Sequence, residues 1–495
     1  MAKSEKSSQR ISGYFRLTGS QGALDFVDVY VGRDIPLFID PTVLATVNSE
    51  WANECASAVQ TFFQTVIDLM RAGDEAQALS LLTFLGEDNS TRLGYSSRGK
   101  GSGVGAGLAA AFYDELSTSK AVKSGLITDL EDTALFIEGV REDRVSDVVT
   151  NIIRKQLIEY TQATAKYYGM PLTKNIATRS CWNNHSRRWD EPRHSDLPLV
   201  PNGPLLLVPK SIVRRTLYYD PGEYYTHYVL PFFQAQEIAN RSSLVHFLRS
   251  GVPKVYKKDV DSQQKAKHNP ENPGVEKRVS LDATDQNSEI LERFKRDKAA
   301  SPPGALSHED IAKNTQTSEP DFDALLQGVL DIQAGRDSAW MYEHVVEALL
   351  TALLYPSLVN PVRQLNLHGG RKRIDIAYNN MAADGFFKWL SNHYPSGQIF
   401  IECKNYSRSL ANEEFDQIAG RFSPSRGKYG LLVYRAYSDK EKVLASLRDT
   451  AQDDRGYVTA LDDTDLSALV EEVKTTGTAT GSKGLLESRF KALIN

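Results

Sequence analysis

Apolar and polar positions follow a helical period over much of the chain, but short runs near its carboxyl end switch to the alternation of strands. Residues 399–406 read Ile-Phe-Ile-Glu-Cys-Lys-Asn-Tyr, three apolar positions followed by a charged pair around a cysteine. As a strand, this run puts Glu402 and Lys404 on one face and Ile401 and Cys403 on the other. Upstream, residues 371–377 read Arg-Lys-Arg-Ile-Asp-Ile-Ala, a second strand with Ile374 and Ile376 on one face and Asp375 on the other. Between the two, residues 380–396 carry Phe386, Phe387, Trp389 and Leu390, the pattern of an inserted helix and turn. An amphipathic helix over 341–350 precedes both strands and holds Glu343 and, one turn later, Glu347. After Lys404 the pattern predicts a helix at 412–422, a strand at 429–434, a helix at 440–450, a strand at 457–461 and a helix from Thr464.

A carboxylate and an ammonium at the end of an apolar strand are costly to bury without a partner or a task. One task that uses both is metal-dependent attack on a phosphodiester. An Asp on one strand, Glu-X-Lys on the next and a Glu-bearing helix before both form a set. With it, residues 325–475 resemble the PD-(D/E)XK superfamily, the restriction-endonuclease-like fold, and in particular its Mrr-like nucleases. The Pro-Asp dipeptide of that family is not kept, since Ile374 precedes Asp375. The resemblance implies a central mixed sheet and a Mg²⁺-dependent endodeoxyribonuclease in which Mn²⁺ substitutes. Asp375, Glu402 and Glu343 (or Glu347 in its place) would hold the metal, Lys404 would activate or orient water, and Gln417 would help position the phosphate. Arg371, Lys372, Arg373, Arg421, Arg426 and Lys428 are candidate contacts to the DNA backbone, which position a duplex without reading its sequence. A surface ion pair on an edge strand is the plainer reading of Glu402 and Lys404, and the apolar run before them argues against it.

The amino-terminal half reads as mainly helical with a few strands. Strands and a turn are expected over 14–46, and helices over 52–72, 76–85, 108–119, 130–140, 143–168 and 222–239, with a strand-like stretch at 197–213. Several groups there invite chemistry. The glycine-rich run 98–107 could meet a phosphate at a helix start, but it lacks Walker spacing and reads more plainly as a loop. Asp25, Asp28, Asp34 and Asp40 are common turn residues before they are metal ligands. Cys181, His185 and His194 lack the fourth ligand of a closed zinc site. Arg179, Arg187, Arg188 and Arg193 with Trp182 and Trp189 suit nucleic-acid contact or a loop anchored by its tryptophans.

Composition changes the picture in three places. A chain of 495 residues exceeds one ordinary domain. The reading is therefore multidomain α/β: an α-rich unit at 1–250, a polar, proline-bearing linker at 251–320 with room for a short helix at 288–298, the nuclease-like unit at 321–475 and a loosely attached tail at 476–495 that could end in a helix. The net charge of −5 excludes a wholly basic nucleic-acid coat, so DNA contact would depend on local patches. Three scattered cysteines and the lack of long apolar runs point to a reducing, cytoplasmic setting without membrane insertion. A nuclease acting on host DNA would be toxic, so control through the amino-terminal half, by a ligand or protein partner, is expected. By analogy the activity would serve restriction or antiviral defence in bacteria, with a homodimer for double-strand cutting. The competing reading is a catalytically inactive nuclease fold that binds DNA or senses nucleotides.

Overall fold

In the computed structural model the described residues are 9–94 apart from 18, 48 and 87; 127–367 apart from 139, 302 and 303; 372–435; 439–453; 455–494; and isolated positions between 112 and 125. The glycine-rich run 98–107 and Arg371 lie outside them. The chain is mixed α/β, with a helical amino-terminal half and a five-stranded mixed sheet in the carboxyl-terminal region.

The amino-terminal half is built around α1, Glu50–Ala72, and α2, Arg154–Tyr168. Ser49 starts α1 by accepting a hydrogen bond from the Ala52 amide, and Gly73 ends it at φ 75°, a left-handed conformation that suits glycine. Cys55, Val59, Phe62, Phe63, Val66 and Ile67 fall on one side of α1 and enter the core. The stretch 251–320 is not a bare connector. It holds the helices Lys257–Ala266, Val275–Gln286, Glu289–Ala300 and His308–Thr315. Val260, Val279, Ala283, Ile290, Leu291 and Phe294 pack into the same core as α1 and α2. Apolar residues are sparse there but keep to one face of each helix, which average composition conceals.

The carboxyl-terminal region runs α3 (Ala339–Leu354), β1 (Leu358–Leu367), β2 (Lys372–Asn380), α4 (Gly385–His393), β3 (Gln398–Lys404), α5 (Asn412–Ala419), β4 (Tyr429–Tyr434), α6 (Lys440–Gln452), β5 (Tyr457–Leu461), α7 (Asp463–Thr476) and α8 (Leu485–Ile494). The sheet order is β1-β2-β3-β4-β5, antiparallel through β3 and parallel from β3 to β5. All six residues of β4 are buried, as expected for a strand covered on both faces. The helix predicted between the strands of Asp375 and Glu402 is α4, and its Phe386, Phe387 and Leu390 are fully buried. Strand β1 was not legible in the sequence: Asn360, Arg363 and Gln364 interrupt its apolar pattern, and a bulge between Val359 and Val362 breaks the alternation. The carboxyl-terminal segment is firmly docked, since Phe490 of α8 is buried against Tyr394, Tyr429 and Tyr457. No helix among the described residues is long and apolar enough to cross a membrane.

Candidate active site

The site forms where β2 and β3 part. Their ladder pairs Asn379 with Gln398 and continues to Ile376 opposite Ile401, one position short of Asp375 and Glu402. In place of the next ladder bond, the Cys403 amide donates to Asp375 Oδ2 at 2.9 Å. Asp375 is thus tied to the strand that carries Glu402 and Lys404. The Lys404 ammonium donates to Glu402 Oε1 at 2.8 Å and to Gln417 Oε1 of α5 at 2.9 Å. Asn405, the next residue, donates to the carbonyls of Gln333 and Gly335 and to the Ser338 hydroxyl, pinning the end of β3 to the turn before α3.

Charge is concentrated in this space. Burial, and then the charge of Asp375, raises the pKa of Glu402 against the pull of Lys404 and Arg421. Burial opposes the charge of Lys404, but the adjoining Glu402 carboxylate more than offsets it, and the pKa is raised. Lys404 therefore stays protonated at neutral pH. Cys403 is held as a thiol by burial and by Asp375, Glu343 and Glu402 around it. Glu402 Oε2 is buried and has no hydrogen-bond partner among the described residues.

Glu343 and Glu347, one turn apart on α3, have separate environments. Glu343 is pushed up to about 7 by burial and then by Asp375. Its Oε1 accepts a hydrogen bond from Gln364. Gln364 holds a left-handed φ of 51°, unusual for a side chain of its size and a mark of local strain. Glu347 turns away into a buried network instead. Arg363 binds it at 2.5 Å and reaches Asp25 of the amino-terminal half at 3.4 Å, while Tyr167 of α2 donates to the Glu347 carboxylate. Glu347, the alternative to Glu343, is thus engaged by Arg363 and Tyr167.

The two strands, α3 and α5 bring Asp375, Glu402, Lys404, Glu343 and Gln417 into one region. Among the described residues, no three His, Cys, Asp or Glu side chains converge closely enough to hold a metal ion. Two hard carboxylates, one with an unpartnered oxygen, suit Mg²⁺, whereas Glu343 is drawn to Gln364. The basic candidates divide. Arg373 is exposed beside Asp375. Arg421 is not a solvent-facing contact: it is buried, donates to the Arg373 and Gln417 carbonyls and stands 3.8 Å from Glu402. Arg426 and Lys428 belong to the opposite end of the sheet, where the Gln398 amide donates to the Arg426 carbonyl. Because β4 runs parallel to β3, the segment entering it must return to the start of β3, the far end of the seven-residue strand that finishes at Lys404. Lys372 lies at the start of β2.

Several of the amino-terminal candidates have structural roles. Asp25 accepts from Tyr160 and binds Arg363, Asp28 accepts from Ser12, and Asp40 caps a helix and accepts from the Tyr218 amide. Trp182 and Trp189 face each other in a small hairpin and pack on Phe62, which anchors the arginine-bearing loop. Sequence reasoning missed Gln364, Asn405 and the inward role of Arg421. Of these, only Asn405, directly after Lys404 on the strand, carried a positional signal.

A family model described as a domain of unknown function, DUF8370, matches residues 16–220 and ends well before this site. No curated protein and no solved structure matches the chain.

Proposed function

We propose that the carboxyl-terminal region is a restriction-endonuclease-like domain of the PD-(D/E)XK type that hydrolyses phosphodiester bonds in DNA. The observation that carries this reading is the meeting of Asp375, Glu402 and a protonated Lys404 where two antiparallel strands part, with one Glu402 oxygen unpartnered. Such an oxygen, buried beside a second carboxylate, is what a divalent cation would satisfy. Asp375 and Glu402 would hold Mg²⁺, or Mn²⁺ in its place, which when bound polarises the scissile phosphate and stabilises charge on the leaving oxygen.

The remaining roles belong to the chain. Lys404 is charged, so it cannot act as a base. It orients the attacking water and neutralises charge on the phosphate, held in place by Gln417. Glu343, with its pKa near neutrality, can accept a proton from a water at the site and release it again. Arg373, which is exposed, would meet the DNA backbone. The amino-terminal half, locked to α3 and β1 through Arg363, is the part through which a ligand or partner would control cleavage. A homodimer would supply the second cut of a duplex, and a role in antiviral defence follows by analogy alone.

Supercoiled plasmid incubated with the chain and Mg²⁺ or Mn²⁺ tests this. Nicking or linearisation is expected, abolished by chelation and lost in Asp375→Ala and Lys404→Ala. Cleavage equal in all three proteins overturns the assignment.

A further inference from the structure

A cleft of about 1140 Å³ opens between the amino-terminal half and the sheet, bounded by α1, α2, the start of α3 and β1. At one end it is lined by three amides from adjacent strands: Asn360 of β1, Asn379 of β2 and Gln398 of β3. Asn379 and Gln398 are ladder partners, and Asn379 also pairs with Val359, the neighbour of Asn360. Each carries a buried amide atom that lacks a partner among the described residues: Nδ2 of Asn360, Nδ2 of Asn379 and Oε1 of Gln398. Asn379 is only 2% exposed. Native proteins leave few buried amides unpaired, because each forfeits its bonds to water. Three at the end of one cavity are explained by a ligand that brings both acceptors and donors.

The walls narrow the choice of ligand. Tyr167, Tyr168, Trp51 and Trp340 line the same cleft, and Trp340 is 68% exposed, a large aromatic face left open to solvent. Flat aromatic faces favour a planar ring system that can stack. The charged residues select against phosphate. Glu50, Glu54, Glu159 and, on the side shared with the candidate active site, Glu343 line the cleft against Lys166, while the charge of Arg363 is already answered by Glu347 and Asp25. Asn379 is also four residues along β2 from Asp375, on the same side of the pleat, roughly 13 Å away at the rise of a strand.

We propose that this cleft binds an uncharged nucleobase, either as a free nucleoside or swung out of a nucleic-acid strand. The inference does not rest on the nuclease reading, because binding can be measured in the full chain carrying Asp375→Ala with metal chelated. Calorimetric titration with adenosine, guanosine, cytidine and thymidine, with their 5′-monophosphates, and with matched and single-mismatch DNA duplexes covers both sources. At least one nucleoside, or the mismatched duplex in preference to the matched one, is expected to bind. Where a nucleoside binds, its monophosphate should bind more weakly. Loss of one stacking face should weaken binding by about tenfold or more, so Trp340→Ala, a surface change that spares the fold, is the first variant. Asn379→Ser, checked for folding by circular dichroism, should do the same. No binding of any nucleoside or of the mismatched duplex at millimolar concentration overturns the proposal, as does binding that both variants leave unchanged.

Discussion

Arg363→Ala should destabilise the protein far more than an ordinary loss of charge. The side chains of Arg363, Glu347 and Asp25 are 10%, 3% and 2% exposed, so the change strands two carboxylates away from water. Removing one member of a buried ion pair costs roughly 3–5 kcal/mol. Here Tyr167 still donates to Glu347, and Tyr160 still donates to Asp25 at 2.9 Å, which puts the expectation near the lower figure. About 3 kcal/mol corresponds to roughly a hundredfold change in the folding equilibrium. Replacing the charges together, as Asp25→Asn, Glu347→Gln and Arg363→Met, should recover most of the loss, because no charge is then left unpaired. Urea unfolding followed by tryptophan fluorescence measures both variants, with Trp51, Trp182 and Trp189 reporting on one half and Trp340 and Trp389 on the other. A loss below about 0.5 kcal/mol for Arg363→Ala, the scale of a surface pair, refutes the claim that this network locks the halves together.

Other consequences follow from single groups. Between the ordinary carboxyl value of 4.5 and its own value near 7, Glu343 keeps a proton in the folded chain that the unfolded chain has released, so its contribution to stability falls as pH rises through that window. Melting temperatures in chelator should show Glu343→Gln gaining on wild type across the same range; parallel curves contradict this. Lys210 behaves oppositely: burial pushes it from 10.5 down to about 7, so the unfolded chain holds the extra proton and stability rises with pH between those values. Lys210→Met should flatten that rise, and an unchanged slope in melts from neutral to alkaline pH counts against it. A Cβ at Gly430 of β4 would stand 2.8 Å from the Phe400 carbonyl oxygen and 3.0 Å from the Ile418 side chain. Gly430→Ala should therefore cost about 1–3 kcal/mol by overpacking, read as a lower urea midpoint, and a wild-type midpoint would show that the strands yield freely.

The sequence was most legible where local pattern and tertiary role agreed. Ile399 to Ile401 announce β3 because a buried strand needs continuous apolar residues, and the polar residues that follow are conspicuous against them. Phe386, Phe387 and Leu390 announce α4 in the same way. Strand β1 was hidden because its polar residues serve other elements: Arg363 serves Glu347 and Asp25, Gln364 serves Glu343, and Asn360 lines the cleft. Those partners are remote in sequence, and no local rule reports them. The helices between 257 and 315 were read as a linker because their polar faces dominate the count, although Val279, Ala283 and Phe294 sit at core spacing. Arg426 and Lys428 were assigned to the site by nearness in sequence, whereas the parallel return to β4 carries them to the other end of the sheet. Glu343 was preferred to Glu347 on the resemblance alone, since both fall on the same face of α3; their different partners lay beyond the pattern.

The most direct test of the central claim is the Mg²⁺ dependence of single-turnover cleavage of a duplex by wild type, Glu402→Gln and Glu347→Gln. Glu402→Gln is expected to lose cleavage by about a hundredfold or more, the scale for removing one preorganised electrostatic contact to the transition state, and to need more Mg²⁺ for what remains. Glu347→Gln should keep the wild-type Mg²⁺ requirement. Cleavage by Glu402→Gln at the wild-type rate and the wild-type Mg²⁺ midpoint would contradict the assignment of this site.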